Sequence, residues 1–245
     1  MATNKEYDGN TYASVVLTKN LLGSDVVNTT ADTSGLFADK NAGTGKTVTV
    51  SNISISGGAD AGNYILGSNV ATTTANITPK ALTVSGLVAD SRVYDGGVNA
   101  TVNISNPLFT GLVSGDVLTI ASSSGLFTDK NVGTGKTVNL TTTYGGADRN
   151  NYTITNQATS TANITPKALT ISGITASNKT YDNTTGATVS TASVVKTGLV
   201  GTDDVTVGAT GVFSDENVGT GKTVTLTSSY GGTDRNNYTI TNQGT

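Results

Sequence analysis

Cysteine, histidine and tryptophan are absent from this chain of 245 residues, methionine occurs once and proline three times. Without cysteine no disulfide framework braces the fold, so stability has to come from packed cores. Without histidine or cysteine, zinc, haem and iron–sulfur sites lose their ordinary ligands. Ser-His-Asp and Cys-His catalysis are excluded within the chain. Charge is also scarce. Fourteen basic and 17 acidic residues leave a net charge of −3, with charged side chains at 13%. That balance offers no basic surface for nucleic acid. No stretch approaches the roughly 20 apolar residues of a membrane span. These absences favour a structural or binding protein over a catalyst.

What is abundant is threonine, 47 residues, and glycine, 30 residues. Valine, isoleucine and leucine alternate with threonine and serine at period two, the pattern of a half-buried strand. Threonine and valine are β-branched and suit a pleated surface. Glycine, asparagine and aspartate cluster between these runs, as turns require. The expectation is an all-β chain with almost no helix. The best helical stretch, Leu108 to Leu118, is interrupted by Gly111 and Gly115, each costing about 1 kcal/mol in a helix. Met1 is followed by polar Ala-Thr-Asn-Lys-Glu, so no signal peptide is visible.

Internal repetition dominates the sequence. Tyr7-Asp8-Gly9 returns as Tyr94-Asp95-Gly96 and Tyr181-Asp182-Asn183, spaced by 87 residues each time. The segment Phe37 to Val48, containing Asp39-Lys40-Asn41-Ala42-Gly43-Thr44-Gly45-Lys46-Thr47, recurs at Phe127 to Val138 and Phe213 to Val224. Asn63-Tyr64 recurs as Asn151-Tyr152 and Asn237-Tyr238, and Ile77 to Leu82 as Ile164 to Leu169. Three tandem repeats follow: residues 1–79, 80–166 and 167–245. The first lacks an N-terminal strand that the others have, and the third lacks a C-terminal one. These ends suggest an excised piece of a longer array. The alternative is a physical unit circularly shifted from these boundaries, with the Ile-Thr-Pro-Lys stretch inside it.

In the middle repeat, strands are expected near Ala81–Leu87, Ala100–Ile104, Val117–Ala121, Gly125–Thr128, Lys136–Thr142, Tyr152–Thr155 and Thr159–Ile164. Seven short strands at this spacing favour a small immunoglobulin-like β-sandwich. A β-grasp arrangement stays open if Leu112–Asp116 forms a short helix. A compact 87-residue domain has a radius of gyration near 12 Å, so three in line span roughly 90–100 Å, an elongated rod.

Several motifs invite a chemical reading. Gly43-Thr44-Gly45-Lys46-Thr47 resembles a phosphate loop, but the first glycine of that motif is Lys40 here, and the segment leads into a strand. A hairpin turn with glycine at positive φ is the expectation. In Tyr-Asp-Gly, aspartate is expected to accept from a turn amide two residues on, while tyrosine buries its ring and gives its hydroxyl to a backbone carbonyl. The loop Gly146 to Tyr152, repeated at Gly232 to Tyr238, holds too few carboxylates for the six to eight oxygens of calcium. Lys46, Lys136 and Lys222, with Asp39, Asp129 and Asp215 nearby, are raw material for an isopeptide bond, but neighbouring glycines predict exposed lysines. Asp203-Asp204 and Asp215-Glu216 are adjacent pairs, which a strand directs to opposite faces. Thr47/Thr49 and Thr153/Thr155 form rows too short for an ice-binding array. No catalytic, cofactor-binding or metal-binding residue is assigned, and no cofactor is implied.

At Tyr94–Gly96, Asp129–Val138, Asn151-Tyr152 and Ile164–Leu169 the chain resembles the YDG-type repeats of large bacterial surface and secreted adhesins, the filamentous-haemagglutinin-like group. The resemblance spans essentially all 245 residues. It implies export, an extracellular or cell-surface location, and a non-catalytic stalk that carries a binding region. A host glycan or surface receptor is then met through other parts of the full-length protein. A glycan- or mucin-binding module using Asp148, Tyr152 and their loop is the alternative. Head-to-tail self-association by strand addition is left open.

Overall fold

The computed structural model describes residues 1–31 and 34–245. Their regular structure is β strand, with three single-turn 3-10 helices at Ala61–Asn63, Arg149–Asn151 and Arg235–Asn237 and no α-helix among the described residues. The alternation of β-branched and polar residues thus produces an all-β, tandem-repeat chain. No helix among the described residues is long and apolar enough to cross a membrane.

The chain forms two compact units. The first takes residues 1–86, 104–123 and 142–157, the second residues 87–103, 124–141 and 158–245. The middle repeat contributes to both. Ile77 to Leu82 lies inside the first unit and Ile164 to Leu169 inside the second.

In the first unit the main sheet has five strands in the order Lys5–Glu6, Ala71–Thr78, Gly43–Val50, Gly35–Phe37, Tyr12–Ala13. Lys5–Glu6 runs parallel to Ala71–Thr78, with Lys5 opposite Ile77, and the remaining pairs are antiparallel. The period-two pattern sorts the faces: Val48, Val50, Ala75 and Ile77 are buried, while Thr47, Thr72 and Thr74 are exposed. A second, three-stranded sheet in the same unit is built wholly from the middle repeat. Lys80–Ser85 lies between Leu108–Thr110 (antiparallel) and Tyr152–Thr155 (parallel, Ile154 opposite Leu82). Phe37, Val48 and Ile77 of the first repeat share one core with Leu82, Val84, Leu118 and Tyr152 of the second. The core therefore closes between repeats.

The second unit repeats the scheme one period on. Its sheet runs Arg92–Val93, Thr159–Thr165, residues 133–141 of the strand Gly133–Gly145, residues 124–127 of the strand Thr119–Phe127, and Asn99–Ala100. Its three-stranded sheet places Lys167–Ser172 between Val195–Thr197 and Tyr238–Thr241. Phe127, Val138 and Ile164 pack with Leu169, Ile171, Val205 and Tyr238. Pro79 and Pro166 each separate the two strands of a continuous junction segment, where a missing N–H interrupts no ladder.

The strands differ from expectation in detail. Val117–Ala121 and Gly125–Thr128 are not separate: one strand, Thr119–Phe127, covers most of both. Its serines continue the pairing against Gly133–Gly145, with Ser122 and Ser123 bonded to Thr143 and Thr142. In the first repeat the corresponding long strand is broken, because Asn52 adopts φ 52° between Gly43–Val50 and Ser54–Gly57. Leu112–Asp116 forms a turn, so the helix that a β-grasp would need is not there.

Candidate functional site: a buried tyrosine–aspartate interlock

In the first unit, residues of two repeats converge on Asp116, whose side chain is 2% exposed. The Tyr7 hydroxyl donates to Asp116 Oδ2 at 2.8 Å, and the Tyr152 hydroxyl donates to the same oxygen at 2.6 Å. Lys40 Nζ reaches Asp116 Oδ1 at 2.9 Å and Asp148 Oδ1 at 3.2 Å. The Tyr7 and Tyr152 rings meet edge to face at 5.5 Å, and the Lys40 ammonium lies 5.9 Å from the centre of the Tyr7 ring. Tyr152 is fixed from behind, since its hydroxyl accepts from the Val113 amide at 2.9 Å. Asp148 is fixed by the Val117 amide, which donates to its Oδ2 at 2.9 Å. The buried Asn151 adds a second tie: its Oδ1 accepts from the Ala42 amide at 2.9 Å, and its Nδ2 donates to Asn41 Oδ1 at 3.2 Å.

The second unit carries the same set. Tyr94 and Tyr238 donate to Asp203 Oδ2 at 2.8 and 2.6 Å, and Lys130 pairs with Asp203 and Asp234 at 3.3 and 3.0 Å. Asn237 receives the Val132 amide at 2.9 Å. In each case the Tyr-Asp-Gly tyrosine and the Asp-Lys-Asn lysine of one repeat meet the aspartates, asparagine and Asn-Tyr tyrosine of the next.

The electrostatics are those of a closed network. Burial works to raise the Asp116 carboxyl, but hydrogen bonds from Tyr152, Lys40 and Tyr7 outweigh it and hold the group below its usual range. Asp203 follows the same balance, with Tyr238, Tyr94 and Lys130 as donors. Burial, and then the carboxylate each faces, push Tyr7, Tyr94 and Tyr152 upward, and Tyr238 up to about 12. Hydrogen bonds to Asp116, Tyr7 and Asp148 raise Lys40. The cluster thus holds an ionised aspartate, neutral tyrosines and a charged lysine, each satisfied by the others. Its chemistry is cohesion.

The residues singled out in the sequence fall around this cluster. The aspartate of Tyr-Asp-Gly caps its own turn as expected: Asp8, Asp95 and Asp182 each accept from the amide two residues on. The tyrosine hydroxyl does not take a backbone carbonyl, however. Tyr7 and Tyr94 take a carboxylate of the next repeat, Asp116 and Asp203. Tyr181 differs again, being 56% exposed.

The Gly-Thr-Gly-Lys-Thr segment opens the strand Gly43–Val50, and the hairpin connection is the preceding stretch 38–42. Gly45 supplies its positive φ, 62°, in a bulge where the register shifts between Gly43 and Lys46. Its amide donates to Asn76 Oδ1 at 2.8 Å, which leaves it no phosphate to cradle. Lys46 is not exposed as expected. Its side chain is 13% exposed, because the stem lies over Gly43 while Nζ pairs with the outward Asp39 at 2.6 Å. Lys136 and Lys222 repeat this with Asp129 and Asp215.

Asp203 and Asp204 diverge: the first joins the tyrosines, and the second accepts from the Thr233 amide at 3.0 Å. No cluster of three acidic, histidine or cysteine side chains suited to a metal occurs among the described residues. Thr47 and Thr49 face Thr74 and Thr72 across one ladder, two ranks deep. Asp116 and Lys40 are the members that sequence reasoning passed over. Their recurrence as Asp203 and Lys130 was the available signal.

These observations define the class: an all-β tandem-repeat protein whose repeated polar residues join one repeat to the next. The YDG domain family matches residues 1–75, 78–161 and 165–245, once per repeat, and the chain belongs to that family. Comparison with curated proteins and with solved structures finds no match.

Proposed function

We propose that the chain is a non-catalytic stalk segment of an extracellular bacterial adhesin, its linked β repeats holding a binding region away from the cell surface. One observation carries this reading. The same interlock joins the first repeat to the second and the second to the third, and it uses Tyr7, Tyr94, Tyr152 and Tyr238 with Asp116, Asp203, Lys40 and Lys130. A chain that spends its recurrent polar groups on cohesion between neighbours is suited to bearing load. The likeness to filamentous-haemagglutinin-like repeats supports export.

The glycan-binding alternative relies on Tyr152 and Asp148. Tyr152 is buried with its hydroxyl on Asp116, and Asp148 is held by Lys40 and the Val117 amide, which weighs towards the stalk. Small-angle scattering of the chain tests the reading. A maximum dimension well beyond that of one globule of this length is expected. A dimension close to that of one globule overturns it. Saturable binding on a glycan array, lost in Asp148→Ala, would establish the glycan module instead.

A further inference from the structure

The chain holds little that oxidises ahead of tyrosine. Cysteine and tryptophan are absent and methionine occurs once, as the exposed Met1, whereas tyrosine occurs nine times. Thiols and thioethers are the side chains that ordinarily absorb oxidising equivalents. Where they are missing, an electron hole left in the chain settles on a phenol.

Four of the nine phenols stand in two pairs. The Tyr7 and Tyr152 ring centres are 5.5 Å apart with an angle of 76° between the planes, and those of Tyr94 and Tyr238 are 5.6 Å apart at the same angle. All four rings are buried. In each pair both hydroxyls donate to one carboxylate oxygen, Oδ2 of Asp116 or of Asp203. The phenolic ends of the two rings, with the carbons ortho to the hydroxyls, therefore converge on one point. A carboxylate alone does not bring a second ring: Tyr64 donates to Asp25 at 2.7 Å, yet it belongs to neither ring pair.

The surroundings favour a neutral radical over a charged one. Lys40 Nζ lies 5.9 Å from the centre of the Tyr7 ring, and Lys130 Nζ lies 5.9 Å from that of Tyr94. An ammonium at this distance opposes positive charge on the ring. Loss of an electron then has to be accompanied by loss of the phenolic proton, and the carboxylate oxygen at 2.8 Å is a positioned acceptor for it. The Lys40 and Lys130 side chains are each 39% exposed, so each cluster reaches the surface through its lysine.

We propose that each interlock is a site of oxidative tyrosine coupling, at which a one-electron oxidant joins Tyr7 to Tyr152, and Tyr94 to Tyr238, through a carbon–carbon bond. The oxidant takes one electron from each ring of a pair. The Tyr7 proton passes to Asp116 Oδ2 and on to solvent, and the Tyr152 proton follows through the same oxygen. The two radicals pair their unpaired electrons in a new bond between ring carbons ortho to the oxygens. The hydrogen on each of those carbons then moves to the neighbouring oxygen, which restores both phenols. In balance, two electrons go to the oxidant, two protons go to solvent, and the linked pair is lighter by two hydrogen atoms. Asp203 serves Tyr94 and Tyr238 in the same way.

The product is a covalent tie between successive repeats in a chain without disulfides. One link closes residues 7–152 into a loop, and the other closes residues 94–238. Closing a long loop removes freedom from the unfolded chain, as a disulfide does.

The probe is brief photo-oxidation of the dilute full chain with a ruthenium tris-bipyridyl complex and persulfate, followed by trypsin digestion and mass spectrometry. Two linked products are expected, residues 6–19 with 150–167 and residues 93–130 with 236–245, with fragmentation placing the bonds on Tyr7–Tyr152 and Tyr94–Tyr238. The oxidised chain should show dityrosine fluorescence and run ahead of the parent on a denaturing gel, because its loops stay closed. Tyr7→Phe should lose the first link and keep the second, and Tyr94→Phe should do the reverse. Asp116→Asn leaves the hydroxyls an oxygen but removes the base, so the yield of the first link should fall relative to the second. Links spread over the exposed Tyr12 and Tyr181 in equal yield, equal yield of the two named links in urea, or an unchanged ratio in Asp116→Asn would each overturn the proposal. The ring pairs exist whether or not the chain serves as a stalk, so the scattering result and the cross-link map can fail independently.

Discussion

Tyr7 and Asp116 are 109 residues apart in sequence and 2.8 Å apart in space, and Tyr94 and Asp203 reproduce that separation of 109 with the same contact distance. A separation longer than the 87-residue period places the two partners in successive repeats. The hydrogen bond is therefore a bond between neighbours, and its strength is a measure of how well one repeat holds the next.

Asp116→Ala leaves the buried Tyr7 and Tyr152 hydroxyls without their carboxylate acceptor and Lys40 with Asp148 alone. A loss of about 1–3 kcal/mol for each stranded hydroxyl is expected. Tyr7→Phe removes one donor of three and should cost about 0.5–1.5 kcal/mol. Asp39, half exposed beside Lys46, should cost less than about 1 kcal/mol as Asp39→Asn. Urea denaturation of the three variants gives the ranking, and equal losses for Asp116→Ala and Asp39→Asn would contradict it.

The same network sets the pH range of stability. Asp116 and Asp203 are held below their ordinary value, so the folded chain binds these protons less tightly than the unfolded chain. Their contribution is present above about pH 4 and is lost as the pH falls through the folded values. Tyr7, Tyr94, Tyr152 and Tyr238 are raised, so their contribution is present below about pH 10 and is lost as the pH climbs towards about 12, the value of Tyr238. Thermal melting between pH 3 and 11 should show a plateau with an acid and an alkaline limb. The alkaline limb should weaken in Tyr7→Phe combined with Tyr94→Phe.

Gly125 sits under the core of the second unit. A Cβ there would lie 2.7 Å from Val138 Cγ1, 3.1 Å from Val102 Cγ2 and 3.3 Å from Ala100 Cβ. Gly125→Ala should therefore destabilise by about 1–3 kcal/mol through overpacking. Gly62, with open space around its Cβ position and no left-handed φ, is the control. Gly62→Ala should stay within about 1 kcal/mol of the parent.

Ile77 and Leu82 stand on either side of Pro79 and share one core. Replacing either with alanine should cost about 2–5 kcal/mol. Hydrogen exchange should show the loss of protection concentrated in residues 1–86, 104–123 and 142–157 for both variants, although Leu82 belongs to the next repeat. Confinement of the Leu82→Ala effect to residues 80–166 would contradict the shared core.

The β character, the repeats and the turn role of Asp8, Asp95 and Asp182 were legible because they are local. Alternation fixes which face is wet, and an aspartate reaches an amide two residues on without help from elsewhere. The interlock was not legible for the opposite reason. Lys40 and Asp39 are neighbours with opposite fates: one turns to the next repeat, the other outward to Lys46, and nothing within a few residues separates them. Asp203 beside Asp204 presents the same difficulty. Lys46 misled because glycines around it suggest an open turn, whereas a bulge folds its stem back over Gly43.

Since Phe37, Val48 and Ile77 are completed by Leu82, Val84 and Tyr152 of the following period, and Phe127, Val138 and Ile164 by Leu169, Ile171 and Tyr238 of the one after, the first two periods present matching ends to their successors. Recombination that duplicates or deletes a whole period at any phase brings matching halves together again. Such a gene can lengthen or shorten by whole periods, whereas a loss of half a period strands a hydrophobic layer without its lid.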